Sequence, residues 1–407
     1  MTDALSPRLL ARAPHRLMFF IGACNLLLAM LWWAMWLADA RWQLFGLRQP
    51  TPYAGWLHAF VMQYQMLPSF IFGFLLTVFP RWMGLEPLTR WHYLPVGLGL
   101  LGGQLLTLAG LFGYPHLVFL GWLQTLAGWI AALCILLELL RRDRTGDWHA
   151  RSAACALLFG LAGIGLVMAY LYTANAKLLY AAVKFGGFGL LLPIYFTVNH
   201  RMTPFFVRCV FRLQQGWNPR WILPVAWALM LAHLGLELAH GYAWLWMPDL
   251  PLMALACVML WRWWPRPPQG ERTPALLRVL LLGFAWLPIA LALYAAQSLW
   301  LLGTGAFVLG RAPAHALFIG YFGSLLVAMV TRVTQGHSGR PLELGHAAAF
   351  AFVTVQLVAV LRVCAELHSD PLPLLAIAAI GWLLAFAPWV VRSSWIYLTP
   401  RMDGKDG

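Results

Sequence analysis

The residues of this chain that could do chemistry are few, and most sit where they are costly. In LAHLGLELAHGYAW, His233, Glu237 and His240 are spaced i, i+4, i+7 inside an apolar run. That spacing puts three side chains on one helix face, where they could hold a metal ion or carry a proton. Lys184, Arg362 and Glu366 are further ionisable groups in or at the edge of apolar runs. With Glu237, Lys184 and Glu366 are the groups available if a reaction needs intramembrane protons. In HAFVMQYQM, His58, Met62 and Met66 recur at i, i+4, i+8, and imidazole with thioether suits copper, Cu(I) above all. TRVTQGHSGRPL ends another apolar run and gathers Arg332, His337 and Arg340 among glycines. Glycine lets backbone approach a ligand closely, and the two arginines offer paired donors to a carboxylate.

Each pattern also has a plainer reading. One histidine bonded to one glutamate can merely join helices, methionines in an apolar helix can fill the core, and Arg362 with Glu366 can pair at i, i+4. The Arg332–Arg340 stretch can be an ordinary basic turn. His92, His116, His149, His346 and His368 read as helix-end residues at the water interface.

The elements that must position these groups follow from composition. The chain is 61% hydrophobic and 10% charged, against about a quarter charged for a soluble domain. Apolar stretches of about 20 residues, enough to cross a bilayer, begin near Leu17, Leu57, Tyr93, Leu117, Ser152, Leu178, Trp221, Tyr242, Leu276, Pro313, Gly345 and Leu372. We therefore expect an all-α integral membrane protein of about twelve transmembrane helices, forming a single polytopic domain over residues 1–407 with short tails at 1–16 and 399–407.

Nucleic acid does not explain the net charge of +14. Of the 28 Lys and Arg residues, 22 fall on one side when alternate loops are assigned to it. Only Arg41, Arg48, Lys177 and Arg311 fall on the other, with Lys184 and Arg362 inside apolar runs. This is the positive-inside pattern, and it places both termini in the cytoplasm. The run from Leu17 to Ala38 is too long for a signal-peptide core, so helix one is read as an uncleaved anchor. The six cysteines are scattered with no C-x-x-C, which excludes a zinc ribbon and covalent haem attachment. The absence of G-x-x-x-x-G-K-[ST] gives no sign of a nucleotide motor.

Side assignment puts His58 and His315 near the outer surface and His200, Arg201 and His337 at inner helix ends. HAFVMQY and HALFIGY share H-A-[FL]-x-x-x-Y, ending in Tyr64 and Tyr321, and each precedes a phenylalanine-glycine segment that ends at an arginine. Helix six closes comparably in GGFGLLLPIYFTVNHRMTPFF. Helices two, six and ten lie four apart, which would fit an internal repeat of four-helix units.

HAFVMQYQMLPSFIFGFLLTVFPRW, NHRMTPFFV and above all HALFIGYFGSLLVAMVTRVTQGHSGRPL resemble the bacterial NnrS family along essentially the whole chain. The resemblance implies a haem- and copper-containing inner-membrane protein of the nitric oxide response and denitrification. Carried over by position, it points to His58, Arg201, His315, Arg332, His337 and Arg340, with His200 beside Arg201. The guanidinium groups would meet haem propionates, and His337 would ligate iron or contact the same anion. Many members read W-H-A-H-E-M where this chain has W-L-H-A-F-V-M, so Phe60 and Val61 replace a histidine and a glutamate.

The expected function is a membrane protein carrying non-covalent haem b and copper that binds or reduces nitric oxide or transfers electrons from a donor not named by the sequence. The metal candidates are His58, His315, His233, His240, His337 and Met62, with His58 and His315 expected to approach one cofactor region. The alternative is a secondary transporter or copper-handling protein without redox chemistry, whose polar midplane residues line a path.

Overall fold

A computed structural model describes residues 5–212, 214 and 216–404. Among them there is no strand, and the chain forms twelve helical rods: α1 (Pro14–Trp42), α2 (Ala54–Trp82), α3 (Arg90–Gly110), α4 (Pro115–Arg142), α5 (Trp148–Thr173), α6 (Ala176–Val210), α7 (Ile222–Leu238), α8 (Trp246–Trp263), α9 (Ala275–Thr304), α10 (Ala312–His337), α11 (His346–Leu367) and α12 (Leu372–Leu398). Ten are long and apolar enough to cross a membrane. The exceptions are α7, at 17 residues, and α8, which carries Pro248, Pro251 and the buried Asp249.

The rods form two compact units. Unit 1 comprises residues 1–191, 333–341 and 386–407, and unit 2 comprises 192–332 and 342–385.

In unit 1, α3 and α4 form a close hairpin built on small residues. A Cβ at Gly99 would stand 2.5 Å from the Gly128 Cα, and one at Gly121 would stand 2.6 Å from the Thr107 amide nitrogen. Lipid tails are as apolar as leucine, so helices in a bilayer associate through such close packing and through buried hydrogen bonds. Those bonds are present: Gln65 Nε2 donates to Thr107 Oγ1 (3.0 Å) and Thr125 Oγ1 (2.9 Å), Asn25 Nδ2 to Ser69 Oγ (3.2 Å), and Gln104 Nε2 to the Asn25 carbonyl (2.7 Å). In unit 2, Trp286 Nε1 donates to Gln356 Oε1 (2.6 Å), whose amide donates to Ser324 Oγ (2.7 Å).

The expected likeness of helices two, six and ten acquires a structural counterpart. Each contains a π-helical turn: Val61–Met66 in α2, Phe185–Leu191 in α6 and Ala316–Gly323 in α10. The Leu67 N–H reaches back five residues to the Met62 carbonyl. Such a turn holds one extra residue, so the residues beyond it are rotated by about 100° from the α-helical count. This corrects the expected single face of His58, Met62 and Met66, because the wide turn lies between His58 and Met66. Pro68 cannot donate to the Tyr64 carbonyl one α-turn back, and Trp129 Nε1 bonds that carbonyl instead (2.9 Å).

Parts of both expected tails pack onto unit 1. Residues 7–12 form a 3₁₀ turn with Leu9 buried, the Ser6 N–H bonds to the Leu398 carbonyl (2.9 Å), and the Met402 N–H bonds to the Ser338 carbonyl (3.0 Å). The start of α1 and the ends of α10 and α12 thus meet at one end of unit 1, as alternating helices require.

Two outcomes are expected. Gly99→Leu should destabilise the purified protein by about 1–3 kcal/mol or more, as overpacking does, whereas Gly165→Ala, which meets nothing within 4 Å, should leave the thermal midpoint unchanged. Leu342→Cys, at an exposed position shortly after the buried Ser338, should react with impermeant thiol reagents in inverted vesicles but not in intact cells. Labelling of intact cells would reverse the side assignment.

Candidate functional site

A fully buried cluster of acids around a histidine lies in unit 2. His233 of α7 sits between two carboxylates, with Nδ1 2.7 Å from Asp249 Oδ1 and Nε2 3.5 Å from Glu237 Oε2. His233, Glu237 and Asp249 are all buried. The Tyr294 ring meets the imidazole edge-on at 5.0 Å, and Ser298, one turn along α9, accepts the Trp246 N–H at 3.1 Å. Glu237 follows from the i, i+4 spacing. Asp249 comes from the first turn of α8, folded back against α7, a contact that no local pattern announces.

His240 does not complete this group. Helix α7 ends at Leu238, and His240 adopts a left-handed φ of 56° and is exposed beside Tyr242. The expected His233–Glu237–His240 face is therefore replaced by His233, Glu237 and Asp249. In that arrangement each carboxylate takes a different ring nitrogen, so the three do not converge on one point. Among the described residues no three His, Cys, Asp or Glu side chains are grouped to hold a metal ion. The geometry instead suits a proton shared along a carboxylate–imidazole–carboxylate line.

A second cluster forms at the end of unit 1. The His15 and His337 rings lie 4.4 Å apart. Arg16 Nη1 donates to the Tyr397 and Thr399 carbonyls (3.1 and 3.0 Å), and Arg340 Nη2 to Thr399 Oγ1 (3.3 Å), with its guanidinium 5.2 Å from the Trp395 ring. His15 and Arg16 are absent from the expected set. Their signal in the sequence is a His–Arg pair at an inner helix end, the same pattern as His200 and Arg201. Arg332, expected beside His337, instead stacks over Phe206 within unit 2 at 3.8 Å.

Other candidates fall separately. His58, in unit 1, lies flat on Trp33 (4.4 Å, 8°), which stacks in turn on Trp36. Met62 follows in the wide turn. His315, in unit 2, has Nδ1 3.0 Å from the Arg311 carbonyl. His200 is buried and Arg201 half-buried. Lys184 lies over the Tyr180 ring at 5.3 Å, and Glu366 pairs with Arg362 at 2.7 Å.

The motif tyrosines join helices. Tyr64 donates to the Ala182 carbonyl (2.5 Å) in unit 1, and Asn199 Nδ2 reaches Tyr321 Oη (3.4 Å) in unit 2. Both bonds end on α6.

A polytopic helical membrane protein with buried histidines and three interrupted helices is the class that this fold defines. The chain belongs to the NnrS protein family, whose profile matches residues 9–401. A comparison with curated proteins finds no match.

Asp249→Ala should cost about 3–5 kcal/mol, since it leaves a buried partner uncompensated. Asp249→Asn, which keeps an acceptor for the imidazole, should recover part of that loss. Equal thermal midpoints for Ala and parent would show that the pair carries no stability.

Proposed function

We propose that this NnrS-family membrane protein carries haem b and copper and acts in nitric oxide metabolism or nitrosative-stress defence, binding or reducing nitric oxide or passing electrons. The family match over residues 9–401 carries this reading. The donor chemistry fits both groups. The histidines His58, His315 and His337 stand at helix ends or beside wide turns, and His58 with Met62 supplies the imidazole and thioether that suit Cu(I).

In this reading His58 and Met62 would hold copper, and His58, His315 or His337 would meet haem. Arg201 and Arg332 in unit 2, or Arg340 in unit 1, would serve the propionates, as guanidinium forks do for carboxylates. Haem would supply an iron able to bind a diatomic gas. Glu237, with His233 and Asp249 around it, stores or releases a proton inside the apolar layer, where an ionisable group defaults to a functional role. Lys184 and Glu366 are further proton carriers, the latter through its ion pair with Arg362. The protein resides in the bacterial inner membrane with both termini inside and takes electrons from a separate donor.

A second reading draws on the wide turns. Interrupted helices line substrate paths in secondary transporters, and α2, α6 and α10 are interrupted at corresponding places.

The optical spectrum and metal content of the purified protein separate the two. A Soret band that shifts on reduction and again with nitric oxide is expected, together with copper bound stoichiometrically. Colourless, metal-free protein that remains well folded would favour transport. His58→Ala and His315→Ala, made separately, are each expected to lower haem or copper content. Full retention of both cofactors with an unshifted spectrum would remove that histidine from the site.

A further inference from the structure

We infer that the helix-end cluster of unit 1 is an oxyanion site, in which His15, Arg16, His337 and Arg340 receive a phosphate or carboxylate group. The inference shares His337 and Arg340 with the haem reading but rests on His15 and Arg16, which that reading does not use, and it needs neither cofactor.

Charge is the first ground. Arg16 is 3% exposed and Arg340 8%, so both guanidinium groups have left most of their water. A buried charge is costly unless an opposite charge and full hydrogen bonding repay it. Among the described residues the Arg16 bonds go to two neutral carbonyls in the last turn of α12 and just beyond it. Those carbonyls form the negative pole of the helix, which offsets a cation only in part. Arg81 and Arg401 also lie within electrostatic range of both imidazoles. Among the described residues the acid in this group is Asp403, and both its oxygens accept from Arg401, at 2.8 and 2.6 Å.

The second ground is independent of charge. His15 is 4% exposed, and its Nδ1 is buried with no hydrogen-bond partner. Native structures rarely leave such a nitrogen unpaired without an unseen partner. Its neighbour is the His337 ring. The guanidinium groups of Arg16 and Arg340 can only donate, and each imidazole donates from whichever ring nitrogen carries its proton, so an anionic acceptor is the partner that suits the group as a whole. Gly339 lies close against Asp403, where a Cβ would stand 2.8 Å from the carboxyl carbon.

A free oxyanion and the phosphate of an anionic lipid share this chemistry, and the site stands at a helix end where either can arrive. The test uses the full-length protein, delipidated in neutral detergent. Inorganic phosphate is titrated against chloride at equal ionic strength, with the thermal midpoint and Trp fluorescence as readouts, Trp395 being next to Arg340. The protein is also placed in phosphatidylcholine nanodiscs with and without phosphatidylglycerol. Saturable stabilisation by phosphate identifies a free oxyanion as ligand, and stabilisation by phosphatidylglycerol alone identifies a lipid headgroup.

His15→Phe keeps a ring against His337 but removes both nitrogens, and it should weaken the effective ligand at least tenfold. Asp403→Asn, which releases Arg401 from its internal carboxylate, should tighten binding. Arg16→Gln should abolish binding, and if that variant does not fold, His15→Phe carries the test. Stabilisation by neither probe, an equal response to chloride, or unchanged binding in folded His15→Phe would overturn the inference.

Discussion

A bilayer offers no water to a polar group, so each donor and acceptor inside it must find a partner within the protein. Most of what distinguishes this molecule answers to that constraint. Gln65 spans two threonine hydroxyls, and Asp39 at the end of α1 gathers the amides of Phe45, Gly46 and Leu47. His233 is held between two acids. The Tyr64 carbonyl, denied its usual donor by Pro68, is taken by an indole. Polar residues therefore mark the joints between helices, and the apolar majority fills the space around them.

The same constraint explains why the wide turns are costly to keep and informative where they occur. A π turn loosens the regular ladder of backbone bonds, and side chains must attend to what it leaves. Gln63 and Tyr64 reach the carbonyls of Val183 and Ala182, just ahead of the wide turn in α6. Three such turns, each four helices from the next and two of them following H-A-[FL], give the repeat a backbone feature in addition to a short sequence likeness.

Much of this is legible in the sequence because it depends on short-range order. Twelve apolar stretches become twelve helices, and Glu237 lies one turn from His233 as spacing requires. Arg362 and Glu366 pair as the i, i+4 rule allows. The departures all involve distance along the chain or a change of helical period. Asp249 approaches His233 only because α8 folds back on α7, and His15 meets His337 across more than three hundred residues of chain. Met66 leaves its expected face because a constant period of 3.6 does not hold through the π turn, and His240 leaves it because the helix stops two residues earlier. Two prolines and an aspartate in α8 set it apart from the ten rods that are long and apolar enough to cross a membrane.

The wide turns also bear on how this chain tolerates change in length. In an ordinary transmembrane helix, losing a residue shifts every later side chain around the axis and is ruinous. In α2, α6 or α10 the loss of one residue within the π turn would restore an unbroken α-helix, and because that turn holds one extra residue, the residues beyond it would keep their faces. At these three places, therefore, a one-residue deletion would cost the wide turn and whatever it presents while leaving the aim of the downstream half-helix unchanged. Alignments of related chains can carry a one-residue gap there without moving any downstream residue to another face.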